Sequence, residues 1–167
     1  MIGTVPKPIS TPPVSSNWTG VMETFFSSSH HLFAALRMRP TKVDADGVSV
    51  IATIPEVFSQ AATGNLAHRG AYTIILDTVF GFAVFARLQT PKAIATINLR
   101  TEYLRPVEIG ERIICTAECH ALDEPVARVR GEIVDYDGRP LASATGAFMI
   151  GSSGPDFPAF DREAFAR

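Results

Sequence analysis

The stretch Asn65–Ala86, NLAHRGAYTIILDTVFGFAVFA, decides how this chain of 167 residues folds. From Ala71 onward it is almost wholly apolar, and Pro91 lies just beyond its end. The pattern predicts a helix over Gly70–Arg87. Around that helix Tyr72, Ile74, Ile75, Leu76, Val79, Phe80, Phe82, Val84 and Phe85 point in every direction. A helix resting on a flat sheet keeps a polar face, so this one is expected to be largely enclosed. One carboxylate, Asp77, interrupts it, and a small polar knot of Asn65, His68, Arg69 and Gly70 precedes it.

Working outward, the segment before the helix, 55–67, reads as a loop. Asp46-Gly47 closes a hairpin between Arg37–Asp44 and Val48–Ile54. After the helix, 93–104 alternates, with Ala95, Ile97, Leu99, Thr101 and Tyr103 on one face and Thr96, Asn98, Arg100 and Glu102 on the other. Three more strands follow at 111–121, 126–136 and 140–150, the last two joined by Asp137-Gly138. A helix over 20–36 is expected ahead of all this, with Phe25, Phe26, Leu32, Phe33 and Leu36 on one side. No strand–helix–strand rhythm repeats, which argues against a doubly wound parallel sheet. The fold expected is α+β: an antiparallel sheet of about six strands wrapped around one long central helix, with a short helix before it. Residues 1–19 are expected to be a flexible arm, 20–150 the domain, and 151–167 a tail.

Composition narrows the function classes. Hydrophobic residues make up 46% of the chain, enough for a real core. A net charge of −2 gives no electrostatic case for nucleic acid. The prolines of the first twenty residues stand where a secretory signal has its apolar stretch. Asn17-Trp18-Thr19 matches a glycosylation triplet, which carries no weight in that setting. The helix reads as too short to cross a bilayer comfortably and carries Asp77, so the expectation is a soluble, cytoplasmic protein with no membrane partner. Cys115 and Cys119 share one strand face, too far apart for a disulfide, and read as small buried hydrophobes. The few scattered histidines offer no metal-ligand spacing. His30, His31 and His120 read as surface or packing residues.

Asp77 is the residue that calls for an explanation. A buried carboxylate is costly unless paired or hydrogen-bonded. Thr73, Ile74, Phe80 and Gly81 occupy the neighbouring helical positions, so no local cation answers it. Either it caps a backbone group or pairs across an interface, or it is kept for chemistry. A helix N-terminus presents unpaired N–H groups and the positive end of a dipole, so the amides near Arg69 and Gly70 suit an oxyanion. Asp77 lies two turns along, about 10 Å away. One helix therefore does not bring both groups to one reacting carbon, whereas a two-fold dimer does.

Taken together, the pattern resembles the hotdog-fold acyl-CoA thioesterases, in particular the phenylacetate-type (PaaI-like) group of the 4-hydroxybenzoyl-CoA thioesterase superfamily. The carriers are His68-Arg69-Gly70, Leu76-Asp77, TINLRTEYLRP at Thr96–Pro106, Gly110, and the closing YDGRPLASATGAFMI. They span roughly residues 30–150. The resemblance implies a hotdog fold and hydrolysis of a thioester to a carboxylic acid and free coenzyme A. The Arg69 N–H would polarise the carbonyl, next to Gly70. Asp77 of the partner subunit would act as nucleophile or as general base for water. Thr96 would orient the water or the acid. His68 and Asn65 are assigned to substrate binding, His68 as a structural hydrogen-bonder and not a proton shuttle. No cofactor or metal is implied beyond the coenzyme A of the substrate. A homo-oligomer is expected, at least a dimer, with a tetramer favoured.

Two positions depart from the family pattern. Its middle glycine is Arg69 here, whose side chain either meets a phosphate or substrate carboxylate or is simply solvated. The asparagine six residues before the histidine is Ala62, with Gln60 and Asn65 nearby. These departures carry the alternative reading, a non-catalytic acyl- or CoA-binding hotdog protein with a degenerate site. A hotdog hydratase is disfavoured because its Asp-x-Asn-x-x-His signature is absent.

Overall fold

The computed structural model describes residues 18–27, 31–60, 64–88 and 92–151. The expected arm and tail lie outside the described residues, apart from their inner ends. Helical segments α1 (Trp18–Ser27) and α2 (His31–Leu36) stand where one helix over 20–36 was expected. Met22 and Leu36 anchor them in the core, while the side chains of Phe25, Phe26 and Leu32 are not among those described. The chain then forms β1 (Arg39–Asp44), β2 (Gly47–Thr53), α3 (Gly70–Leu88), β3 (Ile94–Tyr103), β4 (Arg112–Asp123), β5 (Val126–Asp135) and β6 (Pro140–Ile150). All neighbouring strands run antiparallel in one six-stranded sheet of order β1-β2-β4-β5-β6-β3. The expected sheet and central helix are therefore present.

The hairpin turns form for a shared reason. The Asp44 carboxylate accepts from the N–H groups of Asp46 and Gly47, each at 3.0 Å. Asp135 does the same for Asp137 at 3.0 Å and Arg139 at 2.8 Å. Each is an Asx turn, in which an aspartate bonds the backbone two residues on and fixes the strand register behind it.

The sheet wraps one side of α3 closely because it has glycine where the helix presses hardest. The Phe80 ring faces Gly131 of β5 and Gly146 of β6. A Cβ on Gly131 would collide with the Thr116 carbonyl and sit 2.7 Å from that ring. Ala71, Tyr72, Ile75, Leu76, Val79, Phe80, Phe82, Ala83, Val84 and Ala86 are buried against the sheet. By length and composition α3 also passes as a membrane span, a test that the core helix of a soluble protein passes too. Cys115 and Cys119 are both buried, as their apolar reading requires. Burial pushes both thiols up from their ordinary pKa, so each stays a neutral small hydrophobe.

Enclosure is incomplete, contrary to expectation. Gly70, Thr73, Ile74, Asp77, Thr78, Gly81, Phe85 and Leu88 are only half-buried. They recur at three- and four-residue spacing, so they form one open stripe along the helix. An apolar composition on every side reads as burial all round, but in the single chain the sheet covers only part of the circumference.

Candidate active site

The start of α3 is stitched in place from two directions. The Ala67 N–H donates to the Val107 carbonyl at 2.9 Å, and the His68 N–H to the Phe58 carbonyl at 2.7 Å. Asn65 ties the same loop down, with its side-chain amide on Glu108 at 3.1 Å and its carbonyl accepting from Ile109 at 2.9 Å. Asn65 thus closes a loop in this chain. His68 caps the helix: its Nδ1 accepts from the Gly70 N–H at 3.0 Å. The neutral ring therefore keeps its proton on Nε2. Glycine at position 70 is what lets the ring fold back, since a Cβ there would lie 2.8 Å from Nδ1.

This cap settles which amide is free. The Ala71 N–H bonds to His68 O at 3.0 Å and the Tyr72 N–H to Arg69 O at 3.0 Å. Gly70 is engaged by the imidazole. The Arg69 N–H has no partner among the described residues. A free donor at the positive end of a 19-residue helix is the usual form of an oxyanion site.

Asp77 lies on the open stripe and is half-buried, so the desolvation cost expected of a core carboxylate is small. Its Oδ1 accepts a hydrogen bond from the Thr96 hydroxyl at 2.8 Å. No cation pairs with it among the described residues. A bonded Oδ1 and an unbonded Oδ2 leave a held but unneutralised carboxylate, the form needed to accept a proton or attack a carbon.

Thr96 reaches Asp77 through a correction to the expected strand pattern. Simple alternation would set Thr96 on the face with Arg100 and Glu102. Instead, a bulge between Thr96 and Asn98 shifts the register of β3 against β6. Thr96 therefore faces the helix, as do Leu99 and Tyr103 beyond the bulge. The residue between, Ile97, is left 49% exposed. A bulge inserts one extra residue and re-aims the side chains on one side of it.

Two further residues complete the stripe, and sequence reading did not single them out. The Tyr103 hydroxyl meets the Thr73 hydroxyl at 2.7 Å, and its ring stacks on Tyr72 at 6.3 Å between centroids. The Arg69 guanidinium lies over that same ring, 5.6 Å from its centroid. Tyr72 is itself fixed, its hydroxyl bonded to the Arg105 carbonyl at 3.1 Å. Burial, with Glu111 adding to it, pushes the Tyr72 phenol up to about 12, so it remains a donor. Thr73 was legible as the residue one turn before Asp77, whereas Tyr103 needed the tertiary fold.

Arg69 just before α3 and Thr73 and Asp77 on it thus follow one another, each four residues from the next, with Tyr103 and Thr96 of β3 beside them. A separate groove of about 660 Å³ lies on the sheet face turned away from α3. Two of its charge pairs are internal, Arg100 with Glu102 at 3.2 Å and Arg130 with Glu118 at 2.5 Å. Among the described residues no three His, Cys, Asp or Glu side chains gather as a metal site. Residues 61–63, including Ala62, are outside the described residues.

Comparison with known proteins agrees with this architecture. The sequence profile of the thioesterase superfamily matches residues 64–142. No curated protein matches the sequence. Among solved structures, the Escherichia coli PaaI protein from the phenylacetic acid degradation operon superposes with TM-score 0.70 at 18% identity, covering 82% of this chain and 95% of that one. A Pseudomonas aeruginosa protein gives TM-score 0.64 at 26% identity, covering 75% and 94%. A hypothetical thioesterase from Streptococcus pneumoniae, solved with coenzyme A, gives 0.61 at 17%, covering 68% and 87%. The chain thus has the hotdog fold, and residues 64–142, from the loop before α3 to the start of β6, match the thioesterase superfamily.

Proposed function

We propose that this protein is an acyl-CoA thioesterase that works as a homodimer or a larger assembly of dimers. The observation that carries the reading is the pairing of one unbonded helix-start amide, at Arg69, with one unneutralised acid, at Asp77. Eight residues of helix separate them, about 12 Å, so a single chain cannot place both on one carbonyl. Two features support a two-fold pairing. Strand β3 is an edge of the sheet, ten residues long. It borders the half-buried stripe of α3 and carries exposed Ile97. A long bare edge of this kind invites pairing with another strand. Joining two β3 edges about a two-fold axis would continue the sheet and lay the two open stripes side by side, the start of one helix near the acid of the other.

In that arrangement the thioester oxygen accepts from the Arg69 N–H, and the helix dipole stabilises the charge that develops there. Asp77 of the partner subunit either removes a proton from water as it attacks the carbonyl, or attacks directly to give an anhydride that water opens. Thr96 holds that carboxylate in one orientation. Both routes break the carbon–sulfur bond, release coenzyme A and leave a carboxylic acid. Neither uses a resident metal or cofactor.

The test is thiol release from a panel of aromatic, short-chain and medium-chain acyl-CoAs by the purified protein. Turnover is expected for part of the panel, and loss of it in Asp77→Ala with the dimer intact. A flat panel with retained CoA binding would turn the reading to the non-catalytic alternative. Wild-type rates in Asp77→Ala would remove the acid from the mechanism.

A further inference from the structure

We propose that Arg69 recognises an anionic group on the acyl chain, so that the preferred substrates are thioesters of dicarboxylic acids. This rests on the thioesterase reading above and names the substrate class for that same site.

The guanidinium of Arg69 is exposed and lies over the face of Tyr103. Four other arginines, Arg100, Arg105, Arg130 and Arg139, each pair with a carboxylate. Arg69 pairs with none among the described residues. It is nevertheless held in place. Tyr103 is fixed by Thr73 through its hydroxyl and by Tyr72 through its ring. A cation over an aromatic face keeps its N–H donors and its charge, so an oriented bidentate site for an oxyanion remains open.

Reach decides which anion it meets. If the thioester oxygen rests on the Arg69 N–H, the guanidinium carbon lies six bonds away, at most about 7 Å. Two kinds of anion are candidates: the phosphates of coenzyme A, of which the diphosphate is the nearer to sulfur, and a carboxylate on the acyl group. The diphosphate stands at the far end of the pantetheine arm, more than a dozen bonds beyond sulfur and roughly 15 Å off when extended. A carboxylate closing a four- or five-carbon acyl chain lies about 4–6 Å from the thioester carbon. Only the second falls within range of a side chain pinned on Tyr103. Thr73 and Tyr103 add hydroxyls beside the guanidinium, which suit a polar chain end better than an alkyl one.

The experiment compares kcat/KM for glutaryl-CoA and pentanoyl-CoA, equal in carbon count and differing in the terminal carboxylate, with spontaneous hydrolysis subtracted. The same two acyl groups are also tested on pantetheine, which lacks the diphosphate. We expect wild type to favour the glutaryl thioester by roughly 10- to 100-fold, as for one charge-assisted bidentate contact. That ratio is expected to fall toward one in Arg69→Gln, to recover in part in Arg69→Lys, and to drop less in Tyr103→Leu. It should persist on the pantetheine thioesters. Hydrolysis of pentanoyl-CoA without a glutaryl preference would overturn the assignment of Arg69 and leave the thioesterase reading standing. An Arg69→Gln effect equal for both CoA thioesters and absent for both pantetheine thioesters would make Arg69 a phosphate contact and overturn it also. If no thioester is hydrolysed, the underlying reading falls and takes this one with it.

Discussion

On the side of α3 turned to the sheet, Phe80 lies against Gly131 and Gly146 with no room for one more carbon. On the side turned away, Arg69, Thr73 and Asp77 follow one another with an aromatic ring and two hydroxyls as partners. The first face is shape-matched, so a change there is felt as strain or a void. The second is loosely held and incompletely bonded, so a change there is felt mainly in chemistry. One helix thus divides its circumference between stability and function, and the strand that touches both is β3.

The largest effect should come from the open face. Asp77→Asn keeps the acceptor for Thr96 but removes the charge. It is expected to lower kcat by at least about 100-fold, in the range of lost acid–base groups. Its melting temperature should stay near wild type, because the residue is half-buried and contributes little packing. A collapse of the fold in this variant would merge the two faces that the structure separates.

Next comes the packed face. Gly131→Ala introduces a methyl where Phe80 and the Thr116 carbonyl already sit, and should cost about 1–3 kcal/mol in urea unfolding. Activity per folded molecule should survive. Thr96→Val removes the one hydroxyl on Asp77 and is expected to reduce kcat about 10-fold with KM little changed, the pattern of a positioning residue. A raised KM with kcat unchanged would assign Thr96 to substrate binding instead.

Smaller effects lie away from α3. Asp135 holds the last hairpin, and the Arg139 N–H, followed by the Arg105 side chain and the Asp137 N–H, keeps its carboxyl below the usual carboxylate value. A folded-state pKa below the unfolded one adds stability above the unfolded pKa, and that stability is lost as pH falls through the folded pKa. Asp135→Asn should therefore be less stable at neutral pH and show a flatter acid limb, measured by urea midpoints across pH. Finally, native protein treated with a thiol reagent should show no fast labelling of Cys115 or Cys119, since both are buried and hard to ionise.

Much of this was legible in residue order. The two Asp-Gly turns, the strand positions and the span of α3 follow from local chemistry, and the helix matches to within one residue at its end. Asp77 stood out because a charge in an apolar run has a desolvation cost that can be read without coordinates. Three things were not legible. The bulge at Thr96–Asn98 depends on the register with β6, and it reverses the face on which Thr96 points. The open stripe depends on how far six strands reach around a cylinder. The role of Tyr103 depends on β3 passing beside the first turn of α3.

By itself, then, the sequence determined the elements, their order, and the presence of one acid and one helix start suited to an acyl group. Those follow from periodicity, turn residues and the cost of burying charge, all of which act over a few residues. The tertiary structure decided which helix-start amide stays free, which hydroxyl holds Asp77, and what orients Arg69. Which amide stays free depends on His68 folding back onto Gly70 in a loop held by the Phe58 and Val107 carbonyls. The other two depend on groups far apart in sequence meeting within about 3–6 Å, as hydrogen bonds and ring contacts require, and only the folded sheet brings them that close.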